Sequence, residues 1–164
     1  MVFNNSNDLV IIRKINKNEN RELMAERLFE TANAGFKNHT PWKAKHFYHT
    51  LETTNSVVFT ASVENNKNEK IIGLIIASVA ITEADIYMVV VDEEYKKNRI
   101  AYQLFEHLIE YLREREVETI YLEVRVSNHP AISLYETLGF KQVGDRKAYY
   151  SSPVEDAIIM RLDI

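Results

Sequence analysis

The hydrophobic positions in the centre of the chain predict a buried strand that leads directly into an amphipathic helix. Residues 86–91 form an unbroken apolar run rich in β-branched residues, which is typical of a strand buried on both faces. The polar cluster at 92–98 follows and predicts a turn. Beyond it, apolar residues recur at helical spacing, at Ile100, Leu104, Phe105, Leu108, Ile109 and Leu112. The N-terminal backbone N–H groups of such a helix are suited to binding phosphate oxygens.

Two further helices are predicted in the N-terminal third of the chain. In the first, apolar residues share one helical face between residues 23 and 32, and Gly35 is placed to end the helix as the C′ residue. The second is predicted over 44–51, where apolar residues recur at intervals of three and four. We expect Thr40 to be its N-cap and Pro41 to occupy its first position.

The remaining apolar segments predict strands and one short helix. Residues 119–126 alternate between apolar and polar side chains, as in a strand with one buried face. Residues 127–130 cap a short helix that Gly139 ends. The other predicted strands are 9–13, 56–63, 71–79, 140–143 and 157–162. The second and third form a hairpin through the polar connection 64–70. The order β-α-α-β-β-β-α-β-α-β-β mixes hairpins with crossovers, which predicts an α/β fold with a mixed sheet of about seven strands and about four helices.

Composition and charge narrow the range of functions. The chain has 164 residues, of which 46% are hydrophobic and 27% charged, as in a single soluble globular domain. A net charge of −4 argues against general nucleic-acid binding, because no overall positive field attracts phosphates. The absence of cysteine excludes disulfides, thiolate metal sites and a cysteine nucleophile. No segment resembles a transmembrane helix or a secretory signal, so we expect a cytoplasmic protein without a membrane partner.

The histidines do not form a recognisable metal-binding pattern. His46 and His49 lie three residues apart on the second predicted helix, but one such pair is far more often on a solvated surface than at zinc. His39, His107 and His129 are scattered along the chain. We therefore predict that the protein binds no metal.

Three stretches carry distinctive combinations of residues: 89–112 (VVVDEEYKKNRIAYQLFEHLIEYL), 121–140 (YLEVRVSNHPAISLYETLGF) and 146–162 (RKAYYSSPVEDAIIMRL). All three resemble the GNAT superfamily of acetyl-CoA-dependent N-acetyltransferases. The last two are similar to the branch that acetylates protein N-termini, including bacterial enzymes that modify the N-terminal alanine of a small-subunit ribosomal protein. The resemblance covers nearly the whole chain. It implies the GNAT fold, a twisted and mostly antiparallel sheet in which strands four and five form a splayed parallel pair.

The resemblance also implies acetyl-CoA as the cofactor. The backbone of the central valines is implied to hold the pantetheine arm, and the following loop to meet the pyrophosphate. The implied cofactor-binding residues are Val89, Val90, Val91, Lys97, Asn98, Arg99, Ile100, Ala101, Tyr102 and Asn128. For Asn128 a helix cap is an equally good explanation. Arg99 departs from the family pattern, because it stands where the first loop glycine allows the backbone to approach the phosphates closely.

Two residues are implied to carry the chemistry of acetyl transfer. An α-amine with a pKa near ~8 must lose a proton, and Glu123 matches the family's general base, acting through water. The sequence pattern by itself favours a surface carboxylate that pairs with Arg125 or a lysine. Tyr135 matches the general acid that protonates the departing thiolate. A tyrosine at this position also packs its ring in the core with its hydroxyl at the edge.

The implied acceptor is a protein or peptide N-terminus, such as that of a ribosomal protein, and we expect the enzyme to be a monomer or a weak homodimer. Trp42, Tyr149 and Tyr150 are acceptor-site candidates by position, although the two tyrosines could equally be a strand pair. Two other functions stay open. One is acetylation of a small amine, and the other is a non-catalytic CoA-binding protein whose loop has drifted at Arg99.

Overall fold

The computed structural model describes residues 9–16, 18–65 and 68–164. Within these ranges the helices and strands follow the predicted order, with a short 3-10 turn at Glu93–Tyr95. The helices are α1 (Arg21–Gly35), α2 (Ala44–Glu52), α3 (Ile100–Arg113) and α4 (His129–Thr137). The strands are β1 (Val10–Lys14), β2 (Ser56–Asn65), β3 (Asn68–Ala80), β4 (Glu83–Val91), β5 (Thr119–Arg125), β6 (Lys141–Ser151) and β7 (Val154–Asp163).

The strands of the described residues form one mixed sheet in the order β1-β2-β3-β4-β5-β7-β6. The pairs β1–β2, β5–β7 and β6–β7 are antiparallel, whereas β4 and β5 are parallel. The parallel pairing runs only from Glu83 opposite Thr119 to Ile86 opposite Leu122, although both strands continue beyond it. This early end of the pairing confirms the splayed parallel pair and the mixed sheet that were predicted.

The described residues form two compact units. The first comprises the described residues up to Ile76 together with Met88–Leu108, and the second comprises Ala77–Tyr87 and Ile109–Ile164. The core of the first unit contains Leu28 of α1, Phe47 of α2 and Leu74 of β3, each 0% exposed. Burying a side chain of this size contributes roughly 1.5–3 kcal/mol, so the amphipathic faces of both helices are fixed by packing.

Gly35 ends α1 in a different way from the one predicted. It is the last helical residue and Phe36 is the C-cap, so Gly35 is not the C′ residue. A Cβ atom at Gly35 would lie 2.2 Å from Val90 Cγ2 and 2.6 Å from the Val91 carbonyl oxygen. Glycine is therefore required because β4 packs directly against the end of α1, not because the backbone turns left-handed there.

The predicted start of α2 is also wrong. The N-cap is Lys43, whose backbone N–H donates to His46 Nδ1 at 2.9 Å. Neither Thr40 nor Pro41 therefore has its predicted role. The Thr40 hydroxyl instead accepts a hydrogen bond from the Trp42 N–H at 3.4 Å, in the turn before the helix. The His46 side chain, in the first turn of the helix, thus accepts a backbone N–H that would otherwise lack a partner at the helix start. The spacing of apolar residues carries no information about such a bond.

Several strands differ from the prediction in length or burial. β2 and β3 extend to Asn65 and Asn68, which shortens the predicted connection 64–70, and residues 66–67 lie outside the described residues. β4 is buried on both faces only near its C-terminal end, since Tyr87 is 55% exposed. β6 reaches Ser151 rather than residue 143, because an exposed edge strand can pair through its backbone without any apolar pattern.

Candidate active site

The polar face of β5 and the neighbouring part of β4 line an open cavity of about 460 Å³. The alternation predicted for 119–126 is confirmed within β5, because Ile120, Leu122 and Val124 are at most 4% exposed while Glu123 is only partly buried. Val126 lies beyond the end of the strand and is 38% exposed. The cavity lies where the parallel pairing ends. Its lining residues are Asp85, Ile86, Tyr87, Tyr121, Leu122, Glu123, Arg146 and Ile159.

Glu123 is held by groups from β6. Arg146 Nε forms an ion pair with Glu123 Oε1 at 2.7 Å, and the two side chains are 56% and 27% exposed. The Tyr149 hydroxyl also hydrogen-bonds Glu123, which raises the pKa of Tyr149. The predicted partner Arg125 pairs instead with Glu155 at 3.0 Å. Sequence reasoning missed Arg146, since only the strand order brings a residue so distant in the chain onto β5.

Tyr135 of α4 is buried, with 9% of its surface exposed. Its ring lies 5.9 Å from that of Phe140, so the packing role expected for an amphipathic tyrosine is confirmed. Burial, with a smaller contribution from Tyr150, raises the pKa of Tyr135 to about 12. The phenol therefore keeps its proton at neutral pH. This property suits the predicted acid, and the catalytic role stays a prediction.

Tyr149 and Tyr150 lie at an irregularity of the β6–β7 pairing and not in a regular strand pair. The register shifts between Arg146 and Tyr150, and Ala148 has a φ of 49°. The two rings meet edge to face at 5.1 Å. Burial raises the pKa of Tyr150, to which the charge of Glu123 also contributes, so both tyrosines lie close to that carboxylate. Their predicted contact with an acceptor stays a prediction.

Asn128 is the N-cap of α4. Its Oδ1 accepts a hydrogen bond from the Ala131 N–H at 3.3 Å, so the helix-cap explanation is confirmed. The cofactor contact implied for Asn128 remains a prediction, and one side chain can serve both purposes because its amide nitrogen is a separate donor.

The first unit contains the other predicted site residues. Val90 and Val91 are 5% and 8% exposed, and Val89 is partly buried, so the valine side chains are core as expected. Trp42 is partly buried against the core, with its ring 5.3 Å from that of Phe47. This contact accounts for Trp42 as a packing residue and leaves its acceptor role a prediction.

The loop before α3 has an unusual backbone. Lys97 and Arg99 have φ values of 65° and 60°, in the left-handed region that favours glycine. The Asn98 side chain stabilises the loop by donating to the carbonyl oxygens of Tyr95 and Lys96, both at 3.0 Å. Arg99 thus holds a left-handed conformation that glycine adopts without strain and that an arginine side chain does not favour.

The first turn of α3 presents backbone donors. The Arg99 carbonyl accepts from the Gln103 N–H at 3.0 Å, which marks the start of the helix. The N–H groups of Ile100, Ala101 and Tyr102 come before the first intrahelical donor and have no acceptor within the helix. Together with the partial positive charge of a helix N-terminus, they fit a phosphate group.

The described residues contain neither a cluster of metal-ligating side chains nor a membrane-spanning helix. In residues 9–16, 18–65 and 68–164, no three or more histidine, aspartate or glutamate side chains form a group suited to a metal ion. The predicted lack of a metal stays a prediction. None of the helices in these ranges is both long and apolar enough to cross a membrane.

Comparison with known proteins identifies the family. Residues 21–140 match the acetyltransferase (GNAT) family. The chain is 38% identical over 126 residues to the [ribosomal protein bS18]-alanine N-acetyltransferase of Escherichia coli strain K12, covering 76% of this chain and 82% of that protein. The crystal structure of the Escherichia coli ribosomal-protein-S18-alanine N-acetyltransferase matches with a TM-score of 0.81 and 31% identity, over 95% of this chain and 94% of that one. Arabidopsis thaliana NAA60 in complex with acetyl-CoA shares the fold, with a TM-score of 0.79 and 21% identity over 95% and 99% of the two chains. This protein therefore belongs to the GNAT family of acetyltransferases.

Proposed function

We propose that this protein transfers the acetyl group of acetyl-CoA to the N-terminal α-amine of a protein, with the N-terminal alanine of a small-subunit ribosomal protein as the acceptor. The observation that carries the proposal is the position of Glu123, in an open cavity where the parallel strands β4 and β5 part. The 38% identity to an alanine N-acetyltransferase of ribosomal protein bS18 supports the choice of acceptor.

The first unit supplies groups that fit acetyl-CoA. The N–H groups at the start of α3 and the left-handed loop before it suit a pyrophosphate, and Lys97 adds a positive charge. The backbone of residues 89–91 would hold the pantetheine arm. When bound, acetyl-CoA supplies an acetyl thioester whose sulfur is the leaving group.

Glu123 acts as the general base. An α-amine has a pKa of ~8 and is mostly protonated at neutral pH, so a proton must leave its nitrogen before it can attack a carbonyl carbon. The Glu123 carboxylate is 27% exposed and borders the cavity, which leaves room for the amine and for a water molecule that relays the proton.

Tyr135 acts as the general acid. Its Oη keeps its proton at neutral pH because burial raises its pKa to about 12. The conjugate thiol of the leaving group has a pKa of ~8.5, lower than that of Tyr135. Full proton transfer to the sulfur is therefore uphill, and the tyrosine O–H acts by donating a hydrogen bond to the sulfur as negative charge develops there. The packing of its ring against Phe140 fixes the direction of the hydroxyl group.

A peptide assay tests the proposal. The protein and acetyl-CoA are mixed with a short peptide that has an N-terminal alanine and free internal lysines, and fragment-ion mass spectrometry locates the product. We expect a single acetyl group, on the α-amine, and none on the same peptide with its α-amine blocked. Peptides that begin with other residues, compared by kcat/KM, test the preference for alanine.

The other outcomes separate the alternatives. Acetyl-CoA binding without peptide acetylation would favour a small amine as the acceptor, and loss of both would favour a protein without this chemistry. Glu123→Gln should lower kcat/KM by roughly 10²–10⁴-fold if Glu123 is the base. Glu114→Gln is the matched control and should leave kcat/KM unchanged, because Glu114 lies in the turn after α3 and 69% of its side chain is exposed.

A further inference from the structure

The loop that leads from β4 into α3 is fixed at its first residue by a buried carboxylate. Asp92 is buried, which is rare for an acidic residue. Its backbone N–H donates to the Ile72 carbonyl oxygen of β3 at 2.8 Å, and its Oδ1 accepts the Glu94 N–H at 3.1 Å. The carboxylate therefore caps the 3-10 turn Glu93–Tyr95 and sets the direction in which the chain leaves the sheet.

Lys70 of β3 supplies the charge that compensates Asp92. The Lys70 Nζ lies 2.9 Å from Asp92 Oδ2, and the two side chains are 50% and 7% exposed. Lys70 also lies 3.8 Å from Glu94 Oε2, but the Glu94 side chain is exposed and water screens that contact. An ion pair with a buried member is different, because removing one partner leaves a buried charge without compensation.

The same part of β3 contacts the far end of the loop. Ile100, the first residue of α3, is buried against Gly73, where a Cβ atom would lie 3.1 Å from Ile100 Cγ2 and 3.3 Å from the Val90 carbonyl oxygen. Residues 70–73 therefore hold the loop at both ends, at Asp92 through charge and hydrogen bonds and at Ile100 through close packing.

Between these two ends the backbone needs support from its surroundings. Lys97 and Arg99 have left-handed φ values of 65° and 60°, which residues with side chains adopt only when neighbouring groups hold them there. The Lys96 Nζ gives one further contact, a hydrogen bond to the Gly35 carbonyl oxygen at 3.2 Å. If the start of the loop were released, the N–H groups of residues 100–102 would lose their fixed common direction.

We propose that Lys70 and Asp92 are positioning residues for phosphate binding: their ion pair fixes the start of the loop before α3 and so keeps the N–H groups of the first helical turn aimed at the pyrophosphate of acetyl-CoA. The inference rests on the proposed use of the α3 N-terminus to bind acetyl-CoA, and it assumes nothing about the acceptor. A loop that is already ordered binds more tightly, because the ordering cost does not fall on the binding step.

Two readouts on the full-length chain test this inference without an acceptor. Calorimetric titration gives the Kd for acetyl-CoA, and hydrogen exchange of residues 92–99 in the ligand-free protein reports how firmly the loop is held. Lys70→Met should weaken binding roughly tenfold, equivalent to about 1.4 kcal/mol, between the values for exposed and buried ion pairs. Exchange of residues 92–99 should become faster, whereas that of β5 should not change.

Variants of opposite charge separate position from electrostatic attraction. Lys70→Met removes a positive charge and Asp92→Asn a negative one, so a purely electrostatic effect on an anionic ligand would have opposite signs. Loss of the ion pair predicts weaker binding by both variants, and a double variant that is no worse than either single one. Lys70→Arg keeps the pair and should restore most of the affinity.

Matched controls remove the same charges from exposed positions. Glu94→Gln takes away a carboxylate beside Lys70, and Lys45→Met takes away an exposed ammonium group on α2. Each should change the Kd by less than about twofold, because exposed charges are screened, and neither should alter exchange in the loop.

A truncated donor shows whether the effect is specific to the phosphates. S-acetyl-pantetheine carries the thioester but lacks the pyrophosphate. Its kcat/KM with the alanine peptide should be the same for Lys70→Met and the unsubstituted protein, whereas kcat/KM with acetyl-CoA should fall about tenfold. Equal losses with both donors would indicate general damage to the site and would overturn the inference.

The outcomes distinguish this inference from the proposed function. An unchanged Kd in Lys70→Met, or tighter binding by Asp92→Asn, would overturn the positioning role. No binding of acetyl-CoA by the unsubstituted protein would overturn both proposals. Acetyl-CoA binding that weakens in both variants, without acetylation of the alanine peptide, would support the positioning role and refute the proposed acceptor.

Discussion

Replacing Arg99 by glycine tests how the left-handed backbone of the loop before α3 affects stability and cofactor binding. Arg99 has a φ of 60°, in a region that costs a residue with a side chain roughly 1–2 kcal/mol. Glycine removes this cost, but it loses more conformational freedom on folding than alanine does, which lowers the free energy of unfolding by about 0.5–1 kcal/mol. Arg99→Gly should therefore be more stable than Arg99→Ala by about 0.5–1 kcal/mol.

The unsubstituted protein has one stabilising contact that both variants lack. The Arg99 guanidinium lies 4.8 Å from the centre of the Tyr102 ring, an interaction that contributes about 0.5–1 kcal/mol at an exposed site. Both variants lose this contact. We therefore expect Arg99→Ala to be the least stable of the three proteins, and Arg99→Gly to match the original within the error of the measurement.

Urea unfolding at a fixed protein concentration measures these differences, and thermal unfolding gives a second estimate. For a domain of this size about 1 kcal/mol moves Tm by 2–4 °C, so the two variants should unfold about 2 °C apart. If Arg99→Gly is no more stable than Arg99→Ala, the strain attributed to the left-handed backbone is not present.

Calorimetric titration with acetyl-CoA completes the test of the loop. Glycine should tighten binding, because it lets the loop backbone approach the phosphates without a side chain in the way. Weaker binding by Arg99→Gly than by the original protein would mean that the arginine itself contacts the phosphates. In that case Arg99→Ala should bind equally weakly, and the difference from the original protein should shrink as salt is added.

Three other substitutions test the packing, the acid and the electrostatics of the site. Gly35→Ala should lower the unfolding free energy by about 1–3 kcal/mol in urea titrations, because the new methyl group overlaps Val90. Gly144→Ala is the control and should lower it less, because the nearest atom to its Cβ is 3.5 Å away. Tyr135→Phe keeps the ring packing and removes the proton donor, so kcat should fall by roughly 10²-fold while Tm changes little, and an unchanged kcat would rule out the acid role. Asp85→Asn should raise the unfolding free energy at pH 7, since the folded state raises the pKa of Asp85 above 3.8 and so disfavours its charged form. That gain should shrink as the pH falls through the raised pKa, and a gain that is constant with pH would contradict the electrostatic explanation.

The periodicity of the sequence predicted most of the helices and strands, and for a physical reason. The alternation of β5 and the helical spacing of α3 each record which side chains are buried, so a few consecutive residues contain the information. The position of Glu123 on the polar face of β5 follows from the same alternation. Its suggested role came from the resemblance of the surrounding segment to a family and not from the pattern itself.

The pattern of apolar and polar residues does not predict features that depend on segments distant in sequence but adjacent in space. The requirement for glycine at residue 35 comes from the proximity of Val90, and the length of β6 comes from backbone pairing with β7. Neither leaves a periodic signal, because one concerns a single interatomic distance and the other concerns backbone groups that every residue carries.

The electrostatics of the candidate site were decided by the tertiary structure. The sequence pattern indicated Glu123 as a candidate, with Arg125 or a lysine as its partner. The order and register of the strands instead place Arg146 beside Glu123, and Glu155 beside Arg125. A charge acts through distance in space and through burial, and the strand register decides which side chains of neighbouring strands share a face. The sequence by itself determined which residues could do the chemistry, and only the folded sheet decided which charges act on them.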